Sequence, residues 1–517
     1  AVDISEWIGA GDWRLFFINR DRIKQVTPAD VQRVARTYLR RENRTVGLFI
    51  PAEKSDLVDV PELPDVAALV KDYKGLETVS EGEAFDPSPA NIDSRIIRKS
   101  LPIGLQIGML PKRNRGNTVS VSMTLHFGDE NSLKGRTSVA TIAPIMLNLG
   151  TTKHTRQEIQ DSLAKTKSSL VIVPGYDSSV NVTMETSREN LKATLSIAAE
   201  MLRQPSLPGA LVEMVKKATT TATANQRTLP DEVATNELRR RLSPYDKDDV
   251  RYVPTLDEIV ERMNAVTVDE MKKLYSELLG ASSAQFAIVG DFNPAEVELW
   301  LAELFGDWKS PSQFARIRKS YQPTPPVNQT IQTPDKPNAA LLAGLRVNVS
   351  QASPDFPALY LANYLLGGGF ENSRLSIRIR QKEGLSYGVN STLYADYIDP
   401  DSYLQIKVTF APENLAKVET AVKEEIERVL KEGFTREEVE TGKAGLVRAL
   451  QTGRAQDSTL ASELANNLYL DRTFTKTAEL EKNIASLTPD EILRVVRRYI
   501  DPSRMAVIKA GDFAKTR

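Results

Sequence analysis

The chain has 517 residues, more than one hydrophobic core usually serves, so roughly two to four domains are expected. Charged residues make up 26% of the chain and hydrophobic residues 41%, and the net charge of −1 gives no indication of a nucleic-acid partner. There is no cysteine, which excludes disulfides and thiolate metal sites, and no apolar run approaches the roughly 20 residues that span a bilayer.

A one-sided helix motif occurs three times along the chain. The copies begin at Thr27, Thr267 and Thr488, and in each the apolar residues recur at the i, i+3, i+4, i+7 and i+8 spacing. Threonine is a favourable N-cap, and Thr-x-x-Glu in the second and third copies is a capping box. The copies are 240 and 221 residues apart (267 − 27 and 488 − 267), so the repeating unit has the size of a domain.

Each repeated helix leads into a short predicted strand, at residues 45–50, 285–289 and 505–509. The second and third strands are both followed by Gly-Asp-Phe, at residues 290–292 and 511–513. Helical patterns alternate with strand patterns throughout the two complete repeats, which predicts an α/β fold of the α+β sandwich type.

The repeat divides the chain into four predicted segments. Residues 1–51 form the C-terminal tail of a preceding homologous domain, and the proline-rich, acidic residues 52–92 form a linker. Residues 93–310 and 325–517 form two complete homologous domains. Because the sequence begins within a repeat and without methionine, we expect it to be a fragment or a processed piece of a longer polypeptide.

The most distinctive stretch lies in the last predicted domain, where an apolar helix-like run over residues 358–366 ends in Gly367, Gly368 and Gly369. Three adjacent glycines expose backbone and permit close approach of another group. Arg380 and Tyr387 follow at a spacing of seven residues, the tyrosine in a turn before a predicted strand at 389–393. Both side chains can donate hydrogen bonds to a carbonyl group or an oxyanion.

This stretch, Gly-Gly-Gly-x-x-x-Ser-Arg-Leu followed by Arg-x-x-Glu-Gly-Leu-Ser-Tyr, resembles the zinc-less half of the pitrilysin/insulinase family of zinc metallopeptidases. The resemblance extends over essentially the whole chain. It implies the C-terminal half of a long, four-domain member, in which two halves close like a clamshell around a peptide.

The resemblance also implies roles for particular residues. Arg380 and Tyr387 would contact the peptide opposite the zinc, and the glycine loop would lie near the bound chain, giving the substrate-binding candidates Gly367, Gly368, Gly369, Asn372 and Ser373. The spacing alone leaves other interpretations open. Arg380 could pair with Glu383 on a helix face, Tyr387 could be a packing residue, and the glycines could simply end a helix.

The family's zinc motif, His-x-x-Glu-His with a distal glutamate, is missing from the corresponding stretch. By position, Thr141, Pro144 and Ile145 replace the two histidines and the catalytic glutamate, and residues 216–222 contain no acid. The chain has only two histidines, His126 and His154, which lie 28 residues apart and read as ordinary strand or surface residues. We therefore expect no metal in this chain and zinc in the missing or partner half.

The sequence thus predicts the C-terminal half of a zinc-dependent metalloendopeptidase, inactive by itself, that encloses peptide substrates. Its expected partners are a peptide or unfolded polypeptide and a zinc-bearing N-terminal half or catalytic subunit, with no nucleic acid and no transmembrane segment. The alternative is a catalytically inactive family member that binds peptides or serves in an assembly. The sequence itself assigns no compartment, and the resemblance favours the bacterial periplasm.

Overall fold

The computed structural model describes residues 2–47, 66–71, 73, 81–175 and 178–514. The contacts within the chain divide it into two compact units, Ala1–Ser80 and Glu81–Arg517. The predicted linker at residues 52–92 lies partly outside the described residues.

The first unit is helical in its described part, with α1 (Val2–Gly9), α2 (Arg14–Ile23), α3 (Pro28–Tyr38) and α4 (Val66–Val70). Helix α3 is the first copy of the repeated motif, and Thr27 caps it in a capping box closed by Asp30. The strand predicted after it is not present at residues 45–47, and residues 48–50 lie outside the described part of the chain.

The second unit contains two β-sheets. The six-stranded sheet has the order β1-β2-β6-β3-β5-β4 and the five-stranded sheet the order β7-β11-β8-β10-β9. The strands are β1 (Ile97–Ser100), β2 (Gln106–Pro111), β3 (Thr118–His126), β4 (Ser169–Pro174), β5 (Ser179–Ser187), β6 (Ala284–Gly290), β7 (Val327–Gln332), β8 (Ala339–Val347), β9 (Ser386–Tyr394), β10 (Ser402–Phe410) and β11 (Ala506–Gly511).

Helices pack against both sheets, which confirms the predicted α/β fold class. The helices of this unit are α5 (Pro89–Arg95), α6 (Glu130–Leu133), α7 (Thr137–Met146), α8 (Arg156–Lys165), α9 (Leu191–Arg203), α10 (Gly209–Gln226), α11 (Pro230–Leu242), α12 (Leu256–Ala265), α13 (Val268–Leu278), α14 (Pro294–Phe305), α15 (Phe356–Asn363), α16 (Leu415–Glu432), α17 (Arg436–Arg454), α18 (Asp457–Tyr469), α19 (Thr475–Ser486) and α20 (Pro489–Tyr499).

The second and third copies of the repeated helix are α13 and α20. Thr267 and Thr488 cap them in the predicted capping boxes, closed by Glu270 and Glu491. Their apolar faces are buried in the two main cores, and each helix is followed by the last strand of its sheet, β6 or β11. The capping motif and the apolar spacing therefore identified equivalent elements of the two sheets.

Two helices are exchanged between the sheets. Helix α11 follows the first sheet's strands β1–β5 in sequence, yet it packs on β8 and β11 of the second sheet through Ala234, Leu238 and Leu242. Helix α18 does the converse and packs on β6 and β3 of the first sheet. Each sheet therefore buries its second face under a helix supplied by the other half of the unit, which joins the two halves through apolar contacts. The repeat pattern did not predict this exchange.

None of the helices in the described part of the chain is both long enough and apolar enough to cross a membrane.

Candidate functional site

The candidate site lies beside β9, the edge strand of the five-stranded sheet. Strand β9 pairs with β10 on one side, and its register shifts at the beginning, where Ser386 lies opposite Phe410 and Gly388 lies opposite Thr409. Tyr387 is therefore an extra residue in a β-bulge, a feature that turns a side chain away from the regular pleat. The tyrosine lies inside the strand, which corrects the prediction that it occupies a preceding turn.

The Tyr387 ring is directed away from the core. Its side chain is 66% exposed, and its hydroxyl accepts a hydrogen bond from Asn338 Nδ2 at 3.3 Å. The bulge is fixed by Ser386, whose hydroxyl accepts a bond from the Gly388 N–H at 3.0 Å and donates to the Thr409 carbonyl. The Tyr387 phenol is therefore exposed to solvent on a backbone that the Ser386 hydrogen bonds fix, and it is not a core packing residue.

The glycine segment approaches β9 from the other side. Helix α15 ends at Asn363 and continues as a π-helical turn, Tyr364–Gly368. A Cβ atom added at Gly367 would lie 2.6 Å from the Ser391 nitrogen, closer than any side chain tolerates, so backbone rests directly on the strand there. Ser391 Oγ donates to the Asn363 carbonyl at 3.1 Å. The glycines do end the helix, and they also bring backbone to the sheet edge.

Arg380 stands on a second π-helical segment, Ser376–Lys382. Its Nη1 atom lies 2.8 Å from Glu371 Oε1, and both side chains are largely exposed. The pairing with Glu383 considered above is not formed, because Glu383 binds Arg378 at 2.8 Å instead. Arg380 therefore faces the open side of the segment with an exposed carboxylate partner.

These parts enclose an open groove of about 520 Å³. Its lining includes four of the predicted site residues, Gly367, Gly368, Arg380 and Tyr387. The other predicted residues lie outside that lining: Gly369 is half-buried against Tyr364, Asn372 is exposed, and Ser373 is only 1% exposed.

The groove also has lining residues that the sequence analysis did not identify: Glu371, Ser376, Gly388, Val389, Asn390, Ser391, Thr392, Lys407 and Thr409. Lys407 lies opposite Asn390 in the register of β10 and β9. The alternation of polar and apolar side chains over residues 405–409 was the available signal, since a lysine in a central strand needs a polar face.

Ion pairs join residues 374–382, which form the helical wall of the groove, to helices α16 and α17. Arg374 is buried and binds Glu438 of α17 through two hydrogen bonds of 2.7 Å. Burial alone would raise the pKa of Glu438, but the bonds from Arg374 and from the Thr435 N–H lower it to about 2. Arg378 binds Glu383 and Glu424, which raises the pKa of the arginine well above its ordinary value. The segment that carries Arg380 is therefore tied to α16 and α17 by charge-assisted bonds.

The corresponding region of the six-stranded sheet has a different chemistry. On α7, the Thr141 hydroxyl donates to the Thr137 carbonyl at 2.9 Å, and Pro144 is buried. The basic side chain of Lys216, in the region predicted to replace the distal glutamate, donates to the Val266 carbonyl at 3.0 Å. A hydroxyl, a proline, an isoleucine and an ammonium group do not fit zinc, which requires imidazole, thiolate or carboxylate ligands.

The two histidines make other contacts. His126, at the end of β3, is buried and stacks on Tyr469 with ring centroids 4.1 Å apart. His154 is largely exposed and its Nδ1 lies 2.8 Å from Glu200 Oε1. Among the described residues, no group of three or more His, Asp or Glu side chains is arranged to hold a metal ion.

Comparisons with known proteins agree with this picture. Residues 265–446 match the family described as peptidase M16 inactive domain. A curated relative, the probable inactive metalloprotease YmfF of Bacillus subtilis (strain 168), is 23% identical over 200 residues, which cover 38% of this chain and 46% of that protein. The chain therefore matches less than half the length of this relative.

Solved structures share the fold. The peptidase M16 inactive domain from Pseudomonas fluorescens is 19% identical, with a TM-score of 0.71 over 80% of this chain and 97% of that one. The periplasmic protease PqqL from Escherichia coli is 15% identical, with a TM-score of 0.65 over 94% of this chain and 50% of that one. The resemblance predicted from the glycine-rich stretch is thereby confirmed at the level of this peptidase family.

Proposed function

Because the chain carries a peptidase M16 inactive domain, we propose that it is the C-terminal half of a zinc-dependent metalloendopeptidase. In this proposal the chain encloses peptide substrates and supplies Arg380 and Tyr387 to the scissile region. The zinc belongs to another half or subunit, since the residues of α7 do not fit the metal. The chain by itself is inactive.

The observation that carries the proposal is the groove beside β9. It brings Arg380 and Tyr387, seven residues apart in sequence, to one opening together with the backbone of Gly367 and Gly368. A guanidinium group and a phenol both donate hydrogen bonds, and neither is engaged by the protein core. The two groups can therefore bind a peptide carbonyl or the oxyanion that develops from it, and one such donor is typically worth roughly 100-fold in rate.

The requirement for a further half is supported by α3. This helix carries the same apolar spacing as α13 and α20, whose apolar residues are buried against the sheets. In α3 the equivalent side chains Val31, Val34 and Tyr38 are exposed. A face of this kind fits a further α/β domain. The match to PqqL, which covers half of that protease, supports the same arrangement. PqqL is a periplasmic protease, and this supports a periplasmic location for this protein.

A second candidate function is a catalytically inactive protein that binds peptides or serves as a subunit of an assembly. The name of the Bacillus subtilis relative, a probable inactive metalloprotease, favours it. The two candidates share the groove and differ in whether a zinc-bearing half works with it.

The test is the native mass, zinc content and peptidase activity of the polypeptide purified from its source. The proposal expects one chain or complex of roughly twice this chain's 57.4 kDa, with about one zinc per particle and peptide hydrolysis. Tyr387→Phe and Arg380→Ala should each lower kcat/KM by roughly 100-fold. Tyr394→Phe, on the same strand, and Lys382→Ala, on the same helical segment, are the matched controls.

A zinc-free particle that binds peptides without hydrolysing them would replace the proposal with the second candidate. Equal activity of all four variants would remove Arg380 and Tyr387 from the reaction.

A further inference from the structure

A second cation, Lys407, lines the groove together with Arg380. It lies on β10 directly opposite Asn390 of β9, and cross-strand neighbours project from the same face of a sheet. The Lys407 ammonium group therefore lies on the part of the groove formed by β9 and β10. The Arg380 guanidinium group belongs to the helical segment Ser376–Lys382, which forms another part of the lining.

Each of these cations is paired with an exposed carboxylate of the protein. Arg380 binds Glu371, and Lys407 binds Asp231 in the first turn of α11. The four side chains are between 32% and 52% exposed. Exposed ion pairs contribute little to stability, so a carboxylate from a ligand can replace either Glu371 or Asp231 without disturbing the fold.

The rest of the lining gives an apolar side chain little to bind. Among the described residues, the uncharged part of the lining is glycine backbone, the Tyr387 ring, and hydroxyl and amide side chains, with Val389 as the single aliphatic residue. In the part of the chain that the structure describes, the lining contains two cations, Arg380 and Lys407, and one carboxylate, Glu371. Counted with Asp231, the partner of Lys407, the charges at the groove balance, so the groove favours polar partners, and a ligand carboxylate reaches a cation by displacing Glu371 or Asp231.

We propose that this groove selects peptide segments that carry a carboxylate, bound by Lys407 and Arg380 in place of Asp231 and Glu371. The inference rests on the proposed function, in that it assumes that peptides enter the groove, and it adds the class of peptide that is preferred. The two internal carboxylates act as competitors that the ligand displaces.

A peptide carboxylate can come from an acidic side chain or from the C-terminus. Fluorescence anisotropy of labelled peptides separates the two sources: one peptide with central glutamates, the same peptide with glutamines, and each of these with a free or an amidated C-terminus. A preference for glutamate over glutamine assigns the side chain, and a loss of binding on amidation assigns the terminus. Either result supports the proposal.

Variants of the full chain make the test independent of folding damage. Glu371→Gln and Asp231→Asn remove the competing carboxylates and should tighten binding of the carboxylate peptide by roughly two- to fivefold, a gain that damage to the fold would not produce. Lys407→Gln should weaken it by roughly fivefold or more and leave the uncharged peptide unaffected. Lys382→Gln, which removes an exposed cation outside the groove lining, should change neither.

Equal binding of the glutamate, glutamine, free and amidated peptides would overturn this inference and leave peptide binding in the groove intact. The inference would also be overturned if neither Glu371→Gln nor Asp231→Asn tightened binding of the carboxylate peptide. If no peptide bound at all, both this inference and the proposed function would fall.

Discussion

The two sheets end in equivalent edge strands, β4 and β9, and the backbone of the two strands has different neighbours at the edge. Ile172 of β4 lies opposite Val182, and Ser391 of β9 lies opposite Ile406. Val182 and Ile406 each precede an Asn-Leu helix start by eight residues (190 − 182 and 414 − 406), so Ile172 and Ser391 occupy the same place in the repeat.

At the edge formed by β4, the Asn148 side chain pairs with the backbone of Ile172. The Ile172 N–H donates to Asn148 Oδ1 at 3.1 Å, and Asn148 Nδ2 donates to the Ile172 carbonyl at 2.7 Å. One amide therefore satisfies both groups that an edge strand leaves unpaired. At the second edge, Gly367 brings bare backbone to Ser391, and the groove opens beside it.

The difference shows that two copies of one fold can present one paired and one open sheet edge. An asparagine in the turn after α7 binds the Ile172 backbone at one edge, while glycines in the equivalent turn bring backbone to Ser391 and line the open groove at the other. The difference lies in a few residues beside the sheet edges, whereas the two sheets have matching capped helices and a matching order of five strands, β2-β6-β3-β5-β4 and β7-β11-β8-β10-β9.

The largest expected effect concerns the wall of the open edge. Glu438→Ala leaves the buried Arg374 without its partner, which typically costs about 3 kcal/mol or more. Urea unfolding of the chain measures the loss. The neighbouring, exposed Glu437→Ala is the control and should stay within about 0.5 kcal/mol of the parent. Equal stability of the two variants would mean that the ion pair does not hold the wall.

The Arg374–Glu438 ion pair also predicts that the free energy of unfolding decreases at acidic pH. The folded pKa of Glu438, about 2, is below its ordinary 4.5, so the pair stabilises the fold above pH 4.5 and this contribution is lost as pH falls toward 2. We expect a contribution on the order of 2 kcal/mol, reduced by the partial exposure of the carboxylate. Unfolding free energies measured between pH 5 and pH 2 should fall less steeply in Glu438→Gln, and parallel curves would contradict the assignment.

At the closed edge, Asn148→Ala should cost about 2 kcal/mol, because the Ile172 N–H and carbonyl both lose their partner. Asn148→Asp keeps the acceptor for the N–H but sets a second acceptor oxygen against the Ile172 carbonyl, so it should protect the amide without restoring the stability. Hydrogen exchange at the Ile172 amide gives a local readout: protection should fall in the alanine variant and persist in the aspartate variant. Unchanged exchange in both would show that the amide does not seal this strand.

The converse substitution, which adds a side chain at the open edge, can be made at Gly367. Gly367→Ala places a methyl group 2.6 Å from the Ser391 nitrogen, and the resulting overpacking should cost about 1–2 kcal/mol. The local shift should also narrow the groove and weaken peptide binding. Gly384→Ala is not a suitable control because Gly384 has a positive φ of 61°, so Gly388→Ala, which meets no atom within 4 Å, is the better comparison. A Gly367 variant as stable as Gly388→Ala would contradict the close packing.

The sequence predicted the parts of this comparison that local rules control. Threonine caps and apolar spacing located α13 and α20 because capping and periodicity act within a few residues. Arg380 and Tyr387 came from the family motif, and the structure places both at one groove. Lys407 and Asn148 could not be located in this way, since their roles depend on strand pairing between distant residues. The exchange of α11 and α18 was missed for the same reason.

The smallest expected effect on stability separates structure from function at the open edge. Tyr387→Phe removes one exposed hydroxyl, whose single described partner is Asn338 at 3.3 Å, so the free energy of unfolding should change by about 0.5 kcal/mol or less. Tyr275→Phe is a useful contrast, because that hydroxyl donates to the Leu202 carbonyl, and burial raises the pKa of the phenol. Its loss should cost about 1 kcal/mol or more. If Tyr387→Phe were the more damaging change in urea unfolding, the exposed phenol would be a packing residue, and its place in the groove would have to be explained by stability instead of by binding.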